Sequence, residues 1–271
     1  MEIIVSTFEG ENKKKKWGFI MLPKERLQKI IDLIQIEKKV YVSELSQKFS
    51  VTEETIRRDL EKLDKKGIVS RTYGGAVINR NGSEDLPFNT RTSLNIDLKK
   101  SIVSKIHHLI KDGDKLMVDP SSTALELVKA LYDKQDLTLI TNSIKILNEF
   151  SDSHFQIIST GGELRKKSLS LVGPAAEATV NRYFADIHVF SCKGISLEHG
   201  ITESNEPEAE LKKCMLKNSK VNLLLVDHTK FNKAAFLKLF DLSDIDVLVT
   251  DKKPSAEWIE RLKTDHVQLI Y

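Results

Sequence analysis

Cysteine is almost missing from this chain, which holds only Cys192 and Cys214 in 271 residues. Two cysteines so far apart make neither a disulfide framework nor a metal-ligand spacing, so two reduced thiols are expected, with no metal and no cofactor. Long apolar runs are missing too. No stretch of about eighteen apolar residues occurs, so no membrane-spanning helix is expected. The opening segment MEIIVSTFEGENKKKKWGFIML has no long apolar stretch after a basic region, and it is not expected to act as a secretory signal. These absences lead to the expectation of a cytoplasmic protein. No internal repeat is visible, and neither charge sign dominates, with 42 Lys and Arg against 39 Asp and Glu.

What is present is an ordinary globular composition, 40% hydrophobic and 30% charged, in a length that suits two domains. The charge is unevenly placed. Residues 22–80 carry thirteen Lys and Arg against nine Asp and Glu, whereas residues 81–271 carry twenty-five against twenty-seven. A basic head on a near-neutral body permits nucleic-acid binding by the head.

Residues 1–20 read as an N-terminal extension without order, including the basic run at 13–16. Patterned sequence begins at Met21. Leu27, Ile30, Ile31 and Ile34 recur at three- and four-residue spacing and predict a helix over 23–36, opened by Pro23. Val40-Tyr41-Val42 is a short extended stretch. Ser43 is placed to cap a second helix reaching Phe49. After a tight turn at Ser50-Val51, Thr52 is placed to cap a third helix running to about residue 66, with Glu53 and Glu54 in its first turn and Gly67 at its end. Residues 68–72 and 76–78 then flank Tyr73-Gly74-Gly75 as a β-hairpin.

Helix, short strand, helix, tight turn, helix, hairpin is the layout of a winged helix-turn-helix, here over residues 21–78. Its third helix should bury Ile56, Leu60 and Leu63. Glu54, Arg58, Glu61 and Lys65 then point outward, with Thr55 and Arg57 on the flanks. Such a helix fits the major groove, where Arg can bond guanine and Thr can touch thymine methyls or phosphate. Arg57 and Arg58 are the strongest candidates, and Arg71 and Tyr73 fall on the wing.

Residues 79–96 are polar, contain Gly and Pro, and read as a linker. From residue 97 to the C-terminus, helical stretches alternate with short apolar runs at 115–118, 137–140, 155–158, 187–190, 221–226, 247–249 and 267–270. These runs are rich in Val, Ile and Leu with little alternation, as in strands buried on both faces. Helices are expected at 123–131, 143–150, 174–183, 207–218 and 255–263. The expected body is an α/β domain with a mostly parallel sheet.

The first of these strands runs through Asp119-Pro120-Ser121-Ser122-Thr123 into a helix. Backbone N–H groups, hydroxyls and the helix dipole converge there on any anion. Ser and Thr are also ordinary helix caps, which is the plainer reading. Further loops at strand ends hold Asn142, Gly161-Gly162, Lys193 and Lys230. Together they suit a small phosphorylated polyol, with lysine as a point charge for phosphate. The helix at 207–218 carries Glu208 and Glu210 early and Lys212, Lys213 and Lys217 late, which matches the helix dipole and is read as stabilising only. His107-His108 has no companion ligands nearby in the sequence, and no metal is expected there.

The segment VSELSQKFSVTEETIRRDLEKL, the Gly67-Ile68 step and RTYGGAV resemble the N-terminal domain of the DeoR/GlpR family of bacterial transcription regulators. VDPSST, TNS, TGGELRKKSLSLVGP, ADIHVFSCKGIS, GIT and VDHTKF resemble that family's C-terminal domain, so the likeness covers about residues 22–271. It implies a recognition role for Thr52, Thr55, Arg57 and Arg58. With Ser43, Glu54, Arg71 and Tyr73 these make up the expected contacts to double-stranded operator DNA. The resemblance implies a body similar to the ribose-5-phosphate isomerase and CoA-transferase fold, sensing a phosphorylated sugar through Asp119, Ser121, Ser122, Thr123, Asn142, Gly162, Lys193 and Lys230. It also implies a homo-oligomeric repressor of a sugar-catabolism operon. The alternative is an isomerase-like enzyme with an accessory DNA-binding head. An isomerase of this fold needs a carboxylate base and acidic residues after a sheet strand. The segment Ser191-Cys192-Lys193-Gly194 carries none, which leaves Asp119 and Glu206 as possible bases. Asp119 is expected instead to orient its loop, and no catalysis is expected.

Overall fold

The structure is a computed structural model that describes residues 21–65, 67–78 and 86–271. The expected extension at 1–20 with its basic run, Lys66 at the expected end of the third helix, and linker residues 79–85 lie outside the described residues.

The head runs α1 (Pro23–Glu37), β1 (Lys39–Tyr41), α2 (Val42–Phe49), α3 (Glu53–Lys65), β2 (Val69–Thr72) and β3 (Gly75–Ile78). Ile30, Ile34, Val40, Leu45, Ile56, Leu60, Leu63, Val69 and Ala76 form one buried core. Each of these Ile, Leu and Val side chains contributes about 1.5–3 kcal/mol on burial. One charged pair is buried with them. Arg26 Nε on α1 donates to Asp59 Oδ2 on α3 at 2.6 Å, with both side chains nearly out of contact with water.

The three strands pair antiparallel in the order β1-β3-β2. The hairpin turns at Tyr73-Gly74, and Gly75 is already in β3. A Cβ on Gly75 would lie 2.1 Å from Val40 O, so the close approach of β1 requires glycine there. Two local expectations need correction. The turn is one residue shorter than expected. Ser43 is not the α2 cap, because the helix begins at Val42 with Tyr41 in the N-cap position and no side-chain cap bond. Thr52 does cap α3, its Oγ1 accepting from Thr55 N at 3.2 Å.

Residues 86–96, expected as linker, contain α4 (Phe88–Ser93) and the first residue of α5 (Ile96–Ser104). Phe88 is fully buried in the body core and donates its N–H to Lys167 O at 2.9 Å. Leu94 packs against the head core. The linker therefore touches both halves.

The body continues through β4 (Lys115–Val118), α6 (Ser122–Ala130), β5 (Thr138–Thr141), α7 (Ile144–Glu149), β6 (Gln156–Ser159), β7 (Glu163–Arg165), β8 (Ser170–Val172), α8 (Pro174–Val180) and β9 (Ala185–Phe190). It ends with β10 (Gly194–Ser196), β11 (Gly200–Glu203), α9 (Glu206–Lys217), β12 (Ser219–Leu225), β13 (Leu237–Phe240), β14 (Val247–Val249), α10 (Ala256–Thr264) and β15 (Gln268–Ile270).

The seven expected strands form a single sheet in the order β15-β14-β12-β9-β4-β5-β6, with every neighbouring pair parallel. Leu116, Val118, Val189, Leu223 and Val249 face α5, α6 and α7 on one side. Met117, Ile140, Phe190, Leu224 and Leu248 face α8, α9 and α10 on the other. Burial on both faces is why the central strands carry apolar runs, while the edge strands β6 and β15 are only partly buried. The β7–β8 hairpin and the small sheet β10-β11-β13 were not expected. The order of the main sheet reverses between β4 and β9. In open α/β sheets the ligand crevice lies beyond the carboxyl ends of the strands at such a reversal.

Candidate functional site

The outer face of α3 carries the expected DNA-contacting groups. Glu54, Arg57 and Arg58 are exposed and Thr55 is half-buried, while Ile56, Leu60 and Leu63 face inward. Thr52 is exposed at the start of α3, and Ser43 is exposed in the first turn of α2. Arg71 on β2 is exposed, and Tyr73 at the wing tip is fully exposed. Arg57 pairs with Glu53, and Arg58 Nε lies 3.1 Å from Glu54 Oε1. Exposed pairs four residues apart on a helix are worth about 0.3–0.5 kcal/mol. A bidentate Arg–guanine contact is worth about 1–3 kcal/mol of discrimination. DNA can therefore draw either arginine away from its carboxylate at little cost.

The second site is a cavity of about 240 Å³ beyond the carboxyl ends of β4 and β9. Asp119 follows β4 and organises the crevice. Its Oδ1 accepts from Ser121 N at 3.0 Å and its Oδ2 from Ser191 N at 3.2 Å, which ties together the two loops that diverge at the sheet reversal. Asp119 does orient its loop. Ser121 is the N-cap of α6, its Oγ accepting from Ala124 N at 3.1 Å. Ser122 and Thr123 follow in the first turn, where helix N–H groups lack intrahelical partners and favour an anion. Asp119, Ser121, Ser122, Thr123, Lys193 and Lys230 all line this cavity.

Asn142 and Gly162 are not among its lining residues. Asn142 is buried after β5, where its Nδ2 donates to Leu171 O at 3.0 Å and its Oδ1 has no hydrogen-bond partner. A Cβ on Gly162 would lie 2.5 Å from Val172 O, so glycine permits the close approach of β8.

Glu208 and Lys212 of α9, with Glu203 of β11, also line the cavity, so these charges do more than match the helix dipole. Lys212 is buried, and its Nζ donates to Glu203 Oε2 at 2.6 Å and to Ser191 O at 2.8 Å, with Asp119 Oδ2 3.2 Å away. Burial opposes the Lys212 charge, but Glu203 and Asp119 outweigh it and raise its pKa above the usual lysine value. Burial likewise opposes the Glu203 charge, and the nearby Lys212 and Lys193 outweigh it and lower that pKa. Both groups are therefore charged. Glu208 is buried and accepts from Ser170 Oγ at 2.8 Å. Asp119, Glu203 and Glu208, none of them in the loop 191–194, thus line the cavity together, while Glu206 is exposed. The i, i+4 relation of Glu208 and Lys212 was visible in the sequence, but an inner and an outer face with such a pair look alike.

Cys192 also lines the cavity, and burial, with Glu203 adding to it, pushes its thiol up to about 12. Burial raises the Cys214 thiol too. Both thiols are free and protonated. His188 is fully buried, stacks on Phe190 at 4.5 Å between centroids, and is driven by burial down to about 3, so it is a neutral core group. Among the described residues no group of three or more His, Cys, Asp or Glu is placed to hold a metal, and no helix is long and apolar enough to cross a membrane.

Residues 26–81 match the DeoR-like helix-turn-helix domain, and residues 94–252 match the DeoR C-terminal sensor domain. The chain belongs to the DeoR family. An uncharacterized HTH-type transcriptional regulator of Bacillus subtilis is 40% identical to this DeoR-family chain over 250 residues, covering 92% of it and 96% of the relative. The glycerol-3-phosphate regulon repressor of Escherichia coli is 29% identical over 246 residues, covering 90% and 97%. Among solved structures, a ribose 5-phosphate isomerase from Methanocaldococcus jannaschii matches 51% of this chain and 55% of its own, with 16% identity and a TM-score of 0.39. This DeoR-family protein is a DNA-binding transcription regulator with a C-terminal sensor domain.

Proposed function

We propose that this DeoR-family regulator is a cytoplasmic, homo-oligomeric repressor of sugar-catabolism genes that leaves its double-stranded operator when a phosphorylated sugar fills the cavity. Ser43, Thr52, Glu54, Thr55, Arg57 and Arg58 meet the DNA in this reading, with Arg71 and Tyr73 on the wing. The observation that carries the effector assignment is the chemistry of the cavity. The hydroxyl-bearing N-terminus of α6 opens into a space lined by six Lys and Arg side chains and four Asp and Glu side chains. Its volume of about 240 Å³ lies below the about 300–1,000 Å³ of pockets for drug-sized ligands, which suits a small metabolite.

The phosphate takes the α6 N-terminus formed by Ser121, Ser122 and Thr123, together with Lys193 and Lys230, while Asp119 takes the polyol end. Asn142 and Gly162 support the site from behind, Asn142 through its bond to Leu171 of β8 and Gly162 by letting β8 approach. A phosphorylated polyol and negative control agree with the name of the Escherichia coli relative.

The test is a titration of the operator complex with phosphorylated sugars and polyols beside their dephosphorylated counterparts, read by fluorescence anisotropy. At least one phosphorylated compound should weaken operator binding while its dephosphorylated form does not. No response to any phosphorylated compound overturns the effector assignment. The buried carboxylates Glu203 and Glu208 favour a second reading, a sugar-phosphate isomerase. Both are already engaged, by Lys212 and by Ser170. Isomerisation of the same compounds, lost in Asp119→Asn, would overturn the regulator-only reading, and none is expected.

A further inference from the structure

The cavity is not a feature of the sensor domain alone. Ile34 at the end of α1 and the Gly67-Ile68 step after α3 form part of its wall, so the DNA-binding head closes it on one side. Leu86, Arg91, Leu94, Asn95 and Lys99 bring the linker and the start of α5 to another side. A Cβ on Gly67 would be 3.7 Å from Leu86 Cδ2, so head and linker are in contact at the rim.

Lys99 holds this junction together. It is only 5% exposed, and its ammonium donates to the backbone carbonyls of Arg91 and Leu94, the last turn of α4 and the residue that follows that helix. An ammonium has three donors, and these carbonyls engage two of them. The charged groups facing it are Asp227 and Lys230 from the loop after β12, Arg91 from α4, and Glu126 from α6. Burial lowers its pKa to about 8; Asp227 offsets part of that, and Lys230 and Arg91 add to it. Across the same cavity Lys233 is also lowered, by burial first and by Lys230 and the head residue Lys38 as well. Cations of the linker, Arg91, of α5, Lys99, and of the body, Lys193, Lys230 and Lys233, thus line one space, and Lys38 of the head acts on Lys233 from outside that lining. An anion there relieves their mutual repulsion only while all three parts are together. That is a differential contact, which a ligand needs in order to shift an equilibrium between head arrangements.

We propose that the effector site is shared by sensor, linker and head, and that Lys99 is the positioning residue through which an anion in the cavity fixes the linker and the head. The proposal rests on the effector reading above and adds the route by which occupancy reaches the DNA-binding surface. The anion shares the Lys99 ammonium with the Arg91 and Leu94 carbonyls. Its arrival is therefore felt at α4, one end of which is anchored in the body core by Phe88 while the residue at the other end, Leu94, packs on the head.

Amide hydrogen exchange on the full chain tests this, with inorganic phosphate and glycerol 3-phosphate as probes. Three segments are followed: 119–125 in the sensor, 86–99 in the linker and 67–72 in the head. In the wild type all three should slow on adding a probe. In Lys99→Met only the sensor segment should slow, and Lys99→Arg should restore the linker response. The operator-affinity ratio with and without probe should fall to about one in Lys99→Met, from a wild-type value in the about 5–150-fold range usual for coupled sites. Protection of the sensor segment alone in the wild type overturns the shared site, with no variant needed. Full protection of all three in Lys99→Met overturns the role of Lys99. Failure of both probes to protect even the sensor segment overturns the effector reading beneath the proposal, and the proposal with it.

Discussion

Replacing Lys212 by Met should cost the sensor domain far more than a surface lysine is worth. In the native chain one buried ammonium serves Glu203 at 2.6 Å and Asp119 at 3.2 Å, and both carboxylates are almost fully buried. Removing one partner of a buried ion pair costs about 3–5 kcal/mol, because the remaining charge is left uncompensated. Here two carboxylates are left. Asp119 keeps two backbone N–H donors and Glu203 keeps the Ser204 N–H at 2.9 Å, which holds the loss within that range. The figure is a large share of the about 5–15 kcal/mol that holds a typical domain together.

The assay is urea unfolding followed by the fluorescence of Trp258, which is buried against α10's neighbours in the body, in a Trp17→Phe background so that a single tryptophan reports. Lys212→Met/Glu203→Gln should recover much of the loss. The sign of the pH dependence follows from Glu203. Its pKa is lowered in the native fold, so its stabilising contribution is present at neutral pH and is lost as pH falls through the carboxylate range. In Lys212→Met burial acts on Glu203 without the opposing lysine and raises its pKa, so the gap between variant and wild type should narrow toward acid. A loss below about 1 kcal/mol at pH 7, or a double variant no better than the single one, would show that Lys212 does not compensate these buried carboxylates.

Arg58→Ala should weaken operator binding by about 1–3 kcal/mol, or roughly 5- to 150-fold, while leaving ligand binding by the sensor unchanged; equal operator affinity in a filter-binding assay would move the recognition contact elsewhere. Gly75→Ala should disorder the wing, since its Cβ meets Val40 O at 2.1 Å, and a head that unfolds at the same temperature as the wild type would contradict that contact. Lys99 has a native pKa lowered to about 8 against an ordinary value of 10.5, so the folded state binds fewer protons between those limits and wild-type stability should rise with pH there relative to Lys99→Met, by up to about 3 kcal/mol; parallel stability curves for the two proteins would show that Lys99 is not held in this way.

Much of this architecture is legible in the sequence because the physics that sets it is local. The central strands of the main sheet show as Val, Ile and Leu runs because both of their faces are covered, and α3 shows through Ile56, Leu60 and Leu63 at helical spacing. The loop at Asp119-Pro120-Ser121-Ser122-Thr123 shows because strand, hydroxyls and helix start are consecutive. What stayed hidden depends on distant partners. The buried partner of Asp59 is Arg26, thirty-three residues away, and Lys212 is buried against Asp119, Ser191 and Glu203. The strands β10, β11 and β13 are three or four residues long and include Gly194, Gly200 and Lys238, so their composition resembles loop. Lys99 reads as a solvated helix charge until α4 brings its carbonyls beside it.

In the proposed mechanism an anion held at the α6 N-terminus by Lys193 and Lys230 controls operator binding. The most direct measurement is the operator dissociation constant with and without the most effective phosphorylated compound, for the wild type and for Lys193→Ala/Lys230→Ala. Both proteins should have the same affinity without the compound, the wild type should lose most of it on adding the compound, and the ratio for the double variant should stay near one. A double variant that responds as fully as the wild type would contradict that mechanism.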